Sequence, residues 1–170
     1  EEYEPISESA LEAIYEQAIT NLNDVDCVIF SDYGQGVVCD SGVERITKHA
    51  KKNDIPIIAD PKLTGLHRTH EVDWIIFQSR GFELMKRRIG ENDDSVAAES
   101  LIQSYGWKHL VVLAGGDGVT IYSQLEDTVH VPCTLPELRQ VIGLIDAAVV
   151  AIAVSISCLL YTSPSPRDNR

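Results

Sequence analysis

Val25-Asp26-Cys27-Val28-Ile29-Phe30-Ser31 is a short, β-branched apolar run that stops on Asp32-Tyr33-Gly34-Gln35-Gly36. A run of this kind, bounded by turn residues, reads as a strand buried on both faces. Ile55 to Ala59 and Asp73 to Phe77 (D-W-I-I-F) repeat the pattern, and His109 to Ala114 adds a fourth run. Between these runs the apolar period changes from strand-like to helical. Pro5 to Leu22 places Ile6, Leu11, Ile14, Ala18 and Leu22 near one helix face. Ser41-Gly42-Val43-Glu44 has the capping-box form, with Val43, Ile46 and Ala50 on the face that follows. Phe82 to Ile89 and Ser95 to Tyr105 read as two more helices, stopped by Gly90 and Gly106.

Val119 to Ser123 pairs back on the fourth strand across Gly115-Gly116-Asp117-Gly118, and Thr128 to Cys133 alternates like an outer strand. Asp146 then opens an apolar helix, Ala147 to Ser157, expected to be buried. Strand and helix alternate through short connections, with no internal repeat and no domain boundary. The expected fold is therefore α/β: a three-layer α/β/α sandwich with a mostly parallel sheet. Its parallel strands are expected near 25–31, 55–60, 73–77 and 108–114.

The chain has 170 residues, 14 Lys and Arg against 26 Asp and Glu, and a formal charge of −12. That balance argues against duplex nucleic acid or an anionic membrane as the main partner. A small phosphorylated ligand stays compatible with it, because local backbone amides can outweigh the global field. Cys27, Cys39, Cys133 and Cys158 lack Cys-x-x-Cys spacing, and no signal peptide opens the chain, which points to a reducing cytoplasm. The apolar stretch before Ser157 is shorter than the roughly 20 residues a membrane span requires.

The sequence begins on Glu1 without a Met and ends on Cys158 to Asp168, C-L-L-Y-T-S-P-S-P-R-D, which looks like a translated sequencing adapter. The expected organisation is a domain fragment over 1–157 and a non-native tail over 158–170, with Pro164 to Arg170 packing against nothing.

In open α/β sheets ligands bind beyond the carboxyl ends of the strands. Asp32-Tyr33, Asp60-Pro61-Lys62, Gln78 to Glu83 and Gly115 to Gly118 follow successive strands, and Gly143 to Asp146 precede the last helix. Asp32, Lys62, Glu83, Gly115 and Asp146 are expected to converge on one edge as a metal–phosphate site. Any one of these acids is, by itself, equally an ordinary turn or cap residue. His67 and His70 lack a third ligand and read as a solvated loop, and Lys86-Arg87-Arg88 as a solvated helix face. Cys27 and Cys133 read as small buried hydrophobes. No G-x-G-x-x-G follows the first strand, which argues against a dinucleotide-binding protein.

These residues together resemble the ribokinase-like (PfkB-type) sugar kinases, nearest to the kinase domain that phosphorylates D-glycero-β-D-manno-heptose 7-phosphate on the route to ADP-heptose. Ser31-Asp32-Tyr33-Gly34-Gln35-Gly36 is similar to the S-D-Y-x-K-G of that group, and Ala59-Asp60-Pro61-Lys62 to its strand-end D-P-K. Val112 to Val119 resembles the V-T-x-G-x-x-G-V hairpin near the nucleotide, and Arg80 to Glu83 the N-x-x-E motif. The likeness runs from about Glu2 to Ser157 and covers the middle of the family's domain, truncated at both ends.

The resemblance implies a kinase that uses ATP and Mg²⁺ to phosphorylate a sugar hydroxyl, with a small sugar phosphate as partner and a homodimer of the full-length protein. It implies Asp146 as the base, Gly143 in the anion hole and Asp32, Asp60 and Lys62 on substrate or phosphate. Gly115 and Gly118 are placed near the nucleotide and Glu83 near the metal. The family's D-x-T-G-A-G-D signature, however, reads Gln140-Val141-Ile142-Gly143-Leu144-Ile145-Asp146 here. An Ile where backbone must approach a phosphate is a steric fault, worse at positive φ. Loss of turnover is expected from this and, independently, from the truncation of the sugar and adenine sites, and a non-catalytic relative with a binding or dimerisation role is the alternative.

Overall fold

The computed structural model describes residues 5–134 and 142–162; Gln140 and the segment Pro164 to Arg170 lie outside them. Six strands form one sheet in sequence order: β1 (Val28–Ser31), β2 (Ile57–Asp60), β3 (Trp74–Gln78), β4 (His109–Leu113), β5 (Val119–Ser123) and β6 (Val129–Val131). β1 to β4 run parallel, and β5 and β6 return antiparallel. The helices are α1 (Glu8–Asn21), α2 (Asp40–Lys52), α3 (Ser79–Ile89), α4 (Asp94–Tyr105) and α5 (Leu144–Thr162).

The period-2 alternation of the strands divides the core between two faces. Phe30, Ile57, Ala59, Ile75, Phe77, Leu110 and Val112 face one side, where Tyr15, Val43, Ile46, Phe82, Met85 and Leu101 of α1 to α4 meet them. Ile58, Ile76, Val111 and Leu113 face the other, packed by Val149 and Ala153 of α5. The three-layer α/β/α arrangement follows, with four helices on one face and α5 on the other among the described residues. Trp107 is wholly buried and donates Nε1 to Thr69 O at 2.7 Å, which joins the start of β4 to the segment before β3.

Local outcomes differ from the sequence-based expectation in several places. Cys39, not Ser41, is the N-cap of α2, because Cys39 O already accepts from Val43 N at 3.0 Å. α3 begins directly after β3, three residues before Phe82. Lys86 is buried within a Glu83–Lys86–Asp94 ion-pair group and does not sit on a solvated face. Cys27 and Cys133 are half-buried, not fully enclosed. α5 runs past Ser157 to Thr162 and is buried along one stripe only: Val150 and Val154 are each 56% exposed, since it has the sheet on one side. Among the described residues, no helix is long and apolar enough to cross a membrane.

Candidate functional site

Parallel pairing brings the carboxyl ends of β1, β2 and β3 to one edge. The β1–β2 ladder extends one residue beyond the strand, where Asp32 N donates to Asp60 O at 3.0 Å. Two acids therefore leave the sheet side by side. Gly34 takes φ +73, and its N–H donates to Asp32 Oδ1 at 2.7 Å, turning the chain back over the strand end. The other Asp32 oxygen accepts from Arg68 Nη1 at 3.4 Å. Only 7% of the Asp32 side chain is exposed. Gly65 makes room for it: a Cβ there would stand 2.7 Å from Asp32 Oδ2. Arg68 Nε also donates to Asp40, at the start of α2, so one guanidinium ties the β1 end to that helix. Tyr15 fixes the remainder of the connection by donating to Val37 O at 2.7 Å.

Asp60 is half-buried, and its carboxyl is pushed up to about 6, first by burial and then by the neighbouring charge of Asp146, with Lys62 opposing. Asp146 lies in the first turn of α5 and accepts from Tyr33 Oη at 2.7 Å. That bond is the first cause holding the Tyr33 phenol above its ordinary range. Gly143 precedes α5 with φ +79, and its carbonyl accepts the first helical bond, from Ala147 N at 2.9 Å. The amides ahead of Ala147 have no intrahelical partner and form an anion-attracting helix N-terminus.

The departures in the signature meet a different fate from the one expected. Leu144 and Ile145 are helical and pack against the apolar cluster under the sheet, while among the described residues of the signature the left-handed backbone falls on Gly143. The Ile145 side chain nevertheless lines the cavity. That cavity, about 360 Å³, is bounded by Asp32, Tyr33, Asp60, Lys62, Gln78, Arg80 and Ile145 among others.

Of the residues singled out from sequence, Asp32, Asp60 and Lys62 line this cavity, and Asp146 joins them through Tyr33 and its effect on Asp60. Gly115 and Gly118 form the turn after β4, at the same edge of the sheet but outside the cavity lining, with Gly118 N donating to Gly115 O at 3.0 Å. Glu83 is not brought in. It lies further along α3, and its carboxylate is engaged by Lys86 at 3.0 Å. The described residues contain no group of three or more His, Cys, Asp or Glu that could hold a metal ion, and Glu83, the acid that the resemblance places near Mg²⁺, is turned to Lys86.

Sequence reasoning misses three residues in or beside the cavity. Tyr33 has no role of its own in the motif that contains it, Arg68 falls in a stretch with the look of a solvated loop, and Arg80 stands only as a replaced Asn. His67 and Arg68 belong to a 3₁₀ segment, Leu63–Thr69, and both reach Asp40. A second groove of about 500 Å³ lies between this segment and α2, where Lys51 pairs with Glu71 and Arg68 with Asp40.

The sequence profile described as pfkB family carbohydrate kinase matches residues 5–155. The bifunctional protein HldE of Shewanella piezotolerans is 25% identical over 155 residues, which is 91% of this chain and 32% of that protein. The protein of the same name from Aliivibrio fischeri is 26% identical over 149 residues, 87% of this chain and 31% of that one. The chain thus spans about a third of the length of the curated relatives it matches. Among solved structures, Escherichia coli phosphofructokinase-2 in complex with potassium superposes with a TM-score of 0.71 at 16% identity, covering 89% of this chain and 50% of that one. Arabidopsis thaliana ribokinase, complexed with ribose and ATP, gives 0.68 at 17%, covering 84% and 46%.

Proposed function

Because this chain belongs to the pfkB family of carbohydrate kinases, we propose that it is part of an ATP-dependent kinase acting on a phosphorylated, heptose-like sugar. The observation that carries this is the convergence of Asp32, Asp60, Lys62 and Asp146 beside an open helix N-terminus. Asp146 is the base: it takes the proton of the sugar hydroxyl as that oxygen bonds to the γ-phosphorus and the bond to the β-phosphate oxygen breaks, releasing ADP. The first amides of α5, after Gly143, face the charge that develops on the transferring group. Lys62 adds a positive charge beside Asp60, and Asp32, held by Arg68, positions the loop that carries Tyr33. Gly115 and Gly118 shape the turn assigned to the nucleotide. Mg²⁺ is expected with ATP in the family, but Glu83 is engaged elsewhere and no step is assigned through the ion. The HldE-named relatives support the heptose-like substrate. A cytoplasmic location and a homodimer of the full-length protein belong to the same reading.

The second reading is a non-catalytic member of the family, favoured by Ile145 standing in the cavity. A coupled ADP-release assay with heptose 7-phosphate separates the two. Restoring the signature in the full-length protein with Ile142→Thr, Leu144→Ala and Ile145→Gly should raise turnover by about 10²-fold or more, the scale of one oxyanion-type donor. Asp146→Asn should then abolish the gain. Turnover by neither protein supports the non-catalytic reading, whereas an unrepaired protein as active as the repaired one means that the altered signature is tolerated.

A further inference from the structure

The cavity at the strand ends has a cationic wall made of Lys62, which the resemblance already places on substrate or phosphate, and Arg80, which stands where the family motif has an Asn and to which the resemblance gives no role. Lys62 projects from the end of β2, its aliphatic stem lying against Gly34, where a Cβ would be 3.8 Å from both its Cγ and its Cε. Arg80 lines the same cavity from the first turn of α3 and makes no ion pair among the described residues. The N-cap of α3, Gln78, makes no side-chain capping bond, so the amides of that turn also lack a side-chain acceptor. The nearby acids are largely committed. Asp32 is held by Gly34 N and Arg68, and Asp146 by Tyr33. Asp60 is the remaining acid in the lining, half-buried beside Lys62. Glu83, which the resemblance places beside a metal, is turned to Lys86.

We propose that Lys62 and Arg80 together form a phosphate-binding clamp that works without a metal ion, the guanidinium occupying the electrostatic role expected of a carboxylate-held Mg²⁺. Arg supplies a fixed fork of N–H donors suited to two phosphate oxygens, and Lys a mobile point charge. Phosphate would bridge the end of β2 and the start of α3, where the uncapped amides add to the field. The clamp rests on the kinase reading only for the identity of the molecule that carries the phosphate, since the same group occurs on a sugar phosphate and on a nucleotide.

The test is calorimetric titration of the chain with inorganic phosphate in EDTA, repeated with Mg²⁺. Binding is expected in EDTA, and Arg80→Ala or Lys62→Ala should weaken it about tenfold, the scale of one charged hydrogen bond. Arg80→Lys should recover part of the loss. Arg87→Ala, outside the cavity on the same helix, should leave binding unchanged and controls for folding and net charge. ADP and glucose 6-phosphate, titrated in parallel, identify the carrier by which one loses affinity in Arg80→Ala. Binding that requires Mg²⁺, or that is indifferent to Arg80 with all three probes, overturns the proposal. Neither result depends on turnover, so the kinase reading is judged separately.

Discussion

Tyr33 donates its phenol to Asp146 Oδ1 at 2.7 Å across 113 residues of sequence, joining the loop after β1 to the first turn of α5. The partners stand at the same edge of the sheet, and the bond brings the proposed base over the cavity. Asp146 is the leading cause of the raised phenol pKa. Asp146→Asn should therefore lower the midpoint at which Tyr33 ionises, followed by ¹³C NMR of the tyrosine ring carbons. An unchanged midpoint would mean that the two side chains do not meet in solution.

Asp60 makes stability depend on pH in a defined direction. Its folded carboxyl is raised from 3.8 to about 6 by burial, then by Asp146. Between those values the folded state holds more proton than the unfolded one, so this group's contribution falls as pH rises through the window and is level above it. Asp60→Asn should leave stability near pH 4 little changed and increase it at pH 7 by on the order of 1 kcal/mol, discounted for partial exposure. Urea unfolding of both proteins at the two pH values checks this. Equal midpoints at pH 7 would show that Asp60 is not strained by burial.

Gly118→Ala should disrupt the β4–β5–β6 hairpins. Gly118 has φ +92, and a Cβ there would lie 2.1 Å from Val131 O, a backbone atom that cannot swing away. The expected cost exceeds about 2 kcal/mol, read as a lowered thermal midpoint with loss of amide protection in β5 and β6. Gly90→Ala is the comparison, since it also has positive φ but no atom within 4 Å of the added Cβ. It should cost about 1 kcal/mol.

Arg68→Ala should destabilise the chain by about 1–3 kcal/mol, because Asp32 would be left largely buried without its cationic partner. Arg68→Lys should recover only part of that, since a single ammonium cannot hold Asp32 and Asp40 as one guanidinium does. Asp32→Asn in the Arg68→Ala background should cost less than in the parent. Additive losses in this double-mutant cycle would deny the coupling.

The architecture was legible because β1 to β4 are apolar runs punctuated by turn residues, and those boundaries shifted by only a few residues. Gly90 and Gly106 were readable as helix stops, and both take positive φ. The site was readable where it follows strand topology, as for Asp32, Asp60 and Lys62. It was not readable where side chains from distant segments choose partners. Nothing local in Arg68 announces that it serves Asp32, 36 residues earlier. Likewise Glu83 fits a motif by spacing but is taken by Lys86, a partner one helical turn away whose own burial hydropathy hides. Ile145 has the look of a backbone fault and is instead an ordinary helical residue, because Gly143 absorbs the turn.

If the ends of β1 to β3 and the start of α5 form one site for phosphorylated ligands, a single titration reads it most directly. That measurement is an amide-resolved ¹H–¹⁵N NMR titration of the chain with ADP and a sugar phosphate. Shifts are expected to group at Asp32 to Gly36, Asp60 to Leu63, Gln78 to Gly81 and Gly143 to Asp146. Shifts confined to Thr47, Lys48 and His67 in the groove between α2 and the 3₁₀ segment, or no shifts at millimolar ligand, would contradict a shared site.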